Sequence, residues 1–267
     1  IYDKNGQLLD AWGTEYPGAH GLTLFNENGV DVLFICDNTR HQVIKTTIDG
    51  KVLMTLDYPK ETGMYEKPEE YIPTETAIAP NGDIYVADGY GSDYIIQYNS
   101  KGQYIRHFGG RNNANKEHNL VNAHGVAVDL RDKNNPVLVC TSREETCFKV
   151  FTMDGKFIKR IDMPGLYVCR PVMDDTNLYA GVCWSKDAAG NRQDNSGFVT
   201  ILDANNKIVS NPGGTAPTYK NGVLQASTAL SNRVFNHGHD VCVDNDKNVY
   251  VCQWNANHTA PIKLTRV

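Results

Sequence analysis

A unit of four short apolar runs separated by turn residues recurs along this chain, and it restricts the fold more than any other feature. Its clearest copy runs from Thr76 to Gly110. Thr76-Ala77-Ile78-Ala79 reads as a strand and Pro80-Asn81-Gly82 as a turn. Asp83 to Asp88 alternates as a second strand, Gly89-Tyr90-Gly91-Ser92 forms a loop, and Tyr94 to Tyr98 is a third strand. Asn99-Ser100-Lys101-Gly102 then turns the chain into a fourth, Gln103 to Phe108. Four short antiparallel strands in about 40 residues make one propeller blade.

The pattern returns at Val32 to Asp37, His41 to Lys45 and Val52 to Met54, and again at Val137 to Cys140, Phe148 to Phe151 and Phe157-Ile158. A less regular fourth unit runs from Val172 through Leu178 to Val182 and Phe198 to Leu202, ending at Lys207 to Val209. The last unit starts at Val241 and reaches Ile262 to Leu264 without an outer strand, while Ile1 to Leu9 reads as the tail of a blade. The expected architecture is a single all-β propeller domain over residues 1–267. Two closures are open. The N-terminal strand completes the last blade of a five-bladed ring, or an upstream blade is absent from this chain.

Three histidines share one register of the repeat. They open His20-Gly21-Leu22, His124-Gly125-Val126 and His239-Asp240-Val241, and each precedes an apolar run, a turn and a second apolar run. Residues at one register of a stacked repeat occupy equivalent points in space, and equivalent points near a ring axis converge. His20 to His124 spans two units, as does His124 to His239. Only in a ring of six does the return to His20 also span two, so a six-bladed propeller is expected, with five blades readable plus an incomplete N-terminal blade. Three neutral imidazoles around one divalent ion leave a position for water or substrate oxygen, as catalytic zinc sites do. The alternative for each histidine is a polar residue satisfying backbone groups at the channel mouth. His41, His107, His118 and His258 fall outside the register, and His237, two residues from His239, is a rival ligand.

Composition sets the remaining bounds. The 267 residues, 40% of them hydrophobic, suffice for one large all-β domain. A net charge of −5 without any Lys/Arg cluster argues against a nucleic-acid surface, and no apolar stretch is long enough to span a bilayer. Among seven cysteines there is no Cys-x-x-Cys, which argues against a cysteine-only zinc site. Cys36, Cys140 and Cys252 lie in apolar strand runs and read as small buried hydrophobes. The chain opens on Ile1 rather than Met, and a signal peptide lost upstream would fit a secreted or periplasmic protein.

His20-Gly21-Leu22, His41-Gln42-Val43, Asp88-Gly89-Tyr90, His124, Ser142-Arg143-Glu144 and His239-Asp240 together resemble the NHL-repeat propellers. Within these they resemble the peptidyl-α-hydroxyglycine α-amidating lyases, over most of the chain from about His20 to Ile262. The resemblance implies a catalytic zinc on His20, His124 and His239, with Tyr90 working beside the metal and Arg143 facing the substrate. It also implies a structural calcium touched by Leu22 and Asp240. The family's disulfide cysteine after the Asp-Gly-Tyr tyrosine is Gly91 here, and its second substrate arginine is expected to fall in the incomplete N-terminal blade.

The residues themselves allow that chemistry without requiring it. A phenol beside a dication ionises more easily than in water, which would suit Tyr90 as a general base; its other reading is a turn tyrosine packed between blades. Arg143 offers a planar fork to a carboxylate, or pairs with Glu144 or Glu145. Asp37 and Asp88, at the ends of second strands, are expected to bind backbone groups in turns. By resemblance the reaction is metal-dependent C–N cleavage of a carbinolamide, on a peptide or small-molecule substrate. A sugar- or hydroxy-acid-derived substrate is the alternative raised by the missing arginine and by the Asn/Asp-rich stretch from Ser185 to Ser196. A non-catalytic propeller binding a protein or glycan is a third reading, because fold does not fix function.

Overall fold

The computed structural model describes residues 1–3, 5–187 and 189–266. Five antiparallel sheets follow one another along the chain as five propeller blades. Blade one comprises β1 (Ala19–Glu27), β2 (Val30–Asp37), β3 (Gln42–Thr47) and β4 (Val52–Leu56). Blade two comprises β5 (Glu75–Ile78), β6 (Ile84–Ala87), β7 (Tyr94–Tyr98) and β8 (Tyr104–Gly109). Blade three comprises β9 (Val126–Asp129), β10 (Val137–Ser142), β11 (Cys147–Thr152) and β12 (Phe157–Asp162). In blade four β13 (Leu166–Met173) and β14 (Leu178–Lys186) pair, the short β15 (Arg192–Gln193) folds back on β14, and β16 (Phe198–Leu202) and β17 (Ile208–Ser210) complete the sheet. A hairpin of β18 (Tyr219–Lys220) and β19 (Val223–Leu224) leads to blade five: β20 (Gly238–Val243), β21 (Val249–Gln253) and β22 (Ile262–Leu264).

The four-strand reading of Thr76 to Gly110 matches blade two to within a residue at most boundaries. Blades one to four fold locally because a tight turn joins the last two strands of each. The turn closes with Gly50 N–H to Thr47 O, Gly102 N–H to Asn99 O, Gly155 N–H to Thr152 O and, in blade four, Asn206 N–H to Asp203 O. Asn206 sits at φ 61° where the other three turns have glycine. Asparagine tolerates that left-handed conformation, so blade four keeps the geometry while losing the sequence signal. Its first strand also begins at Leu166, well before the expected start at Val172, because bulges between Tyr167 and Pro171 break its alternation.

The first strand of each blade lies innermost: β1 packs on β5, β5 on β9, β9 on β13 and β13 on β20. The cores lie between neighbouring blades. Val32, Phe34, Val86 and Ile96 join blades one and two. Tyr85, Leu138 and Phe151 join two and three, and Phe148, Val182, Phe198 and Val251 run through three, four and five. Burying such side chains supplies about 1.5–3 kcal/mol each before entropy is counted.

The two ends follow the sequence reading except at one cysteine. The N-terminal stretch does form a blade-tail hairpin: Tyr2 bridges Leu8, and Asp3 N–H to Gln7 O with Gly6 N–H to Asp3 O repeats the turn between the last two strands of blades one to four, while Trp12 packs with Tyr16, Ile35 and Ile44 beside blade one. Blade five is three-stranded among the described residues. Cys252, expected to be buried like Cys36 and Cys140, is exposed, because its face of β21 has no neighbouring blade. Leu22 and Leu24 on β1 are likewise 52% and 63% exposed.

Around the axis, backbones approach so closely that side chains are excluded at some positions. A Cβ on Gly125 would lie 2.6 Å from Cα of Arg170, so blade three can touch blade four there only through a glycine. Gly125→Ala is expected to destabilise the chain by about 1–3 kcal/mol through this overpacking, read as a lower denaturation midpoint with an unchanged slope.

Candidate metal centre

The shared register does bring His20, His124 and His239 together. Ring centroids are 4.9 Å apart for His20 and His124, 5.1 Å for His20 and His239, and 4.7 Å for His124 and His239. One ligand nitrogen from each lies within 4.8 Å of the others. Local backbone irregularity aims them. His20 falls in the register shift between Ala19 and Leu22, His239 in the shift between Gly238 and Asp240, and His124 just before β9. A bulge frees one residue from strand alternation and lets its side chain turn toward the axis.

The imidazoles are set up as neutral ligands. Nδ1 of His20 lies 2.8 Å from the Thr74 carbonyl, an acceptor, so this nitrogen carries the proton and Nε2 keeps its lone pair. Nδ1 of His124 is buried and finds no partner among the described residues. Burial, Arg143 and the neighbouring imidazoles hold His124 well below the usual histidine range. Burial, then His20 and Arg143, push His239 down to about 3. Burial also lowers His20, with Arg143 adding to it and the Thr74 bond opposing it. Three converging neutral nitrogens fit a divalent transition ion of the zinc type.

Tyr90 stands over the triad. Its hydroxyl oxygen is 3.1 Å from Nε2 of His20 and 3.1 Å from Nε2 of His124. Burial pushes the phenol up and Arg143 opposes this, so ionisation at neutral pH would depend on a cation at the histidines. Arg143 is buried and does not pair with Glu144 or Glu145; Glu145 instead binds Lys149 and Arg160. Its guanidinium carbon lies 5.8 Å from the Tyr90 ring centroid and 5.4 Å from that of Trp184, with Nη1 3.8 Å from Sγ of Cys169. Its Nε has no partner, and among the described residues no carboxylate pairs with this charge. The Asn122 carbonyl accepts the backbone N–H of both His124 and Arg143, which fixes ligand and guanidinium to one point.

The remaining readings divide. His237 is no ligand: Nδ1 contacts the Trp254 carbonyl at 3.1 Å, Nε2 accepts from Asn195 N–H, and the ring packs against Trp184 and Trp254. Asp88 accepts Ile72 N–H, Ser92 N–H and the Tyr65 hydroxyl, the expected turn role, and Asp37 accepts Thr39 and Arg40 N–H. Trp184, Thr74 and Asn122 escaped sequence reading because carbonyl acceptors and packing rings carry no spacing signature. So did Arg170. It donates to the Leu22 carbonyl at 3.1 Å and to Oδ1 of Asp240 at 3.0 Å, the two groups read by resemblance as calcium contacts. With a guanidinium already on both, they do not fit a metal ion.

Fold and site together define a β-propeller carrying a three-histidine centre at its axis. No family model matches the chain. It is 28% identical over 163 residues to the protein named "Probable peptidyl-alpha-hydroxyglycine alpha-amidating lyase pgal-1" of Caenorhabditis elegans, covering 58% of this chain and 44% of that one. It is 35% identical over 108 residues to peptidyl-α-hydroxyglycine α-amidating lyase 1 of Drosophila melanogaster, covering 39% of this chain and 19% of that one. The chain is thus distantly homologous to the amidating lyases and spans less than half the length of these relatives. Among solved structures, a candidate gluconolactonase superposes with a TM-score of 0.58 at 13% identity, over 94% of this chain and 76% of that one, a likeness of fold alone.

The depressed imidazoles have a consequence for the metal-free protein. The unfolded chain takes up protons below about pH 6.5 while folded His239 resists down to about 3, so stability is complete above that window and falls as pH drops through it. The loss per histidine is at most about 1.4 kcal/mol per pH unit. The pH dependence of the urea midpoint across this range should flatten in His239→Asn.

Proposed function

We propose that this chain is a zinc-dependent lyase of the amidating type, cleaving the C–N bond of a carbinolamide that bears a free carboxylate. The observation that carries the reading is the juxtaposition at the axis: three neutral imidazoles, a phenol 3.1 Å from two of them, and beyond the phenol a buried guanidinium without an anion. The distant homology supports it. The spacing of the histidines and the uncovered faces of blades one and five support a six-sector ring, of which five sectors are described here.

His20, His124 and His239 would hold the ion, which supplies Lewis acidity at its open position. Arg143 binds the substrate carboxylate through its fork and so orients the hydroxyl toward Tyr90. The Tyr90 oxygen takes the hydroxyl proton as the C–O bond becomes a carbonyl. The C–N electron pair leaves with nitrogen, which takes up a proton, so an amide and glyoxylate depart and no net proton is consumed. The walls formed by Trp184 and Cys169 keep water from the guanidinium and strengthen its hold on the carboxylate.

Metal content of protein purified without chelator is the first test, alongside His124→Ala. About one zinc per chain, absent from the variant, is expected; no transition metal in either would overturn the reading and favour a binding propeller. With an N-acyl-α-hydroxyglycine as substrate, Tyr90→Phe should lower kcat by about 10²-fold or more while leaving metal content intact. Arg143→Ala should raise KM about tenfold or more for the acid but not for its methyl ester. Full turnover by the Tyr90→Phe chain would remove the proposed base.

A further inference from the structure

Below the histidine centre the channel is crossed by one side chain from blade four. Arg170 is 15% exposed along its side chain, and its donors reach three other blades. Nε donates to Oδ1 of Asp240 at 3.0 Å and Nη2 to the Val241 carbonyl at 3.5 Å, both on blade five. Nη1 donates to the Leu22 carbonyl of blade one at 3.1 Å. Nε also lies 3.5 Å from Oε2 of Glu75, on blade two, whose other oxygen is held by Thr23 and by the N–H of Thr76. Blade three closes the ring of contacts through Gly125, which lies against the Arg170 backbone.

Two carboxylates and two carbonyls converging in a narrow channel are the oxygen donors a hard divalent cation takes. Here a cation already fills that space. Arginine cannot lose its proton under any ordinary condition, and its planar fork matches carboxylate and carbonyl acceptors that diverge in direction. We infer that this chain has a built-in axial cation: the Arg170 guanidinium stands where an oxygen-ligated divalent ion would otherwise join the blades, and the folded chain binds no calcium there. The site is then a permanent clamp independent of metal supply. This consequence does not depend on the lyase reading.

Thermal melts of the chelator-treated chain, with calcium and zinc added back separately, test this. Zinc add-back reports on the histidines and calcium add-back on the axial site. The Tm of the wild-type chain is expected to be unmoved by millimolar calcium. Arg170→Ala and Arg170→Gln should melt lower, and calcium should raise their Tm by about 5 °C or more, with one calcium bound per chain by titration calorimetry. If either variant is unfolded in chelator, recovery of its melting transition in calcium is the readout. A calcium-dependent rise in the wild-type Tm would overturn the inference, since the guanidinium would then not be the resident cation. Variants that fold yet gain no calcium response, or that calcium fails to refold, would overturn it equally, since the oxygens would then form no cation site.

Discussion

Crowding at the axis governs this structure. Five innermost strands run toward one line, and the space left between them is too small for regular strands with full side chains. The chain resolves the conflict in two ways. Glycine stands where backbones meet, as at Gly125 against Arg170. Register shifts stand where a side chain must leave the sheet and enter the channel: around His20, around His239 and between Val168 and Pro171, where Arg170 lies. Pairing given up at a bulge costs ladder hydrogen bonds, and the freed side chains recover part of that cost by bonding across the axis. The features that make the site are therefore the same ones that let the ring close.

Charge is layered along the channel by the same geometry. At one level Glu75, Arg170 and Asp240 bring opposite charges together. Burial pushes the Glu75 carboxyl up to about 7 against the pull of Arg170, so this level can approach neutrality by holding a proton. At the next level three imidazoles are kept uncharged, and beyond them lies Arg143 with no counter-ion. Buried charge is tolerated where it is paired, and leaving it unpaired is costly. The unpaired group thus lies on the Tyr90 side of the imidazoles, away from the paired level.

Much of this was legible before the structure was considered, and the reasons are physical. The blade repeat is written in local signals, alternation and tight turns, so blade two could be read almost to the residue. The histidine register was readable because repeats convert sequence spacing into spatial equivalence. Asp88 was readable as a turn acceptor for the same local reason. Arg170 was not, because its partners Leu22, Glu75 and Asp240 are 70 or more positions away and a strand arginine carries no mark of what it will meet. Blade four blurred where bulges and Asn206 replaced the expected pattern. Cys252 misled because an apolar strand implies burial only when a neighbouring blade covers it.

On the proposed reading, Arg143 would join the two functions that the site must reconcile. A three-histidine centre needs deprotonated nitrogens, yet imidazoles in a polar, water-filled channel would be partly protonated near neutral pH. Burial supplies most of the correction, and the guanidinium adds to it at all three rings. The same positive charge attracts a carboxylate, whose arrival would by itself ease protonation of the imidazoles. A dication held by the three histidines would remove that conflict, since it would take up the lone pairs and add its own attraction for the anion. Metal before ligand is therefore the order of assembly that the electrostatics favour. In that order Tyr90, whose hydroxyl lies 3.1 Å from two of the imidazoles and whose ring lies beside the guanidinium, would be the phenol best placed to ionise.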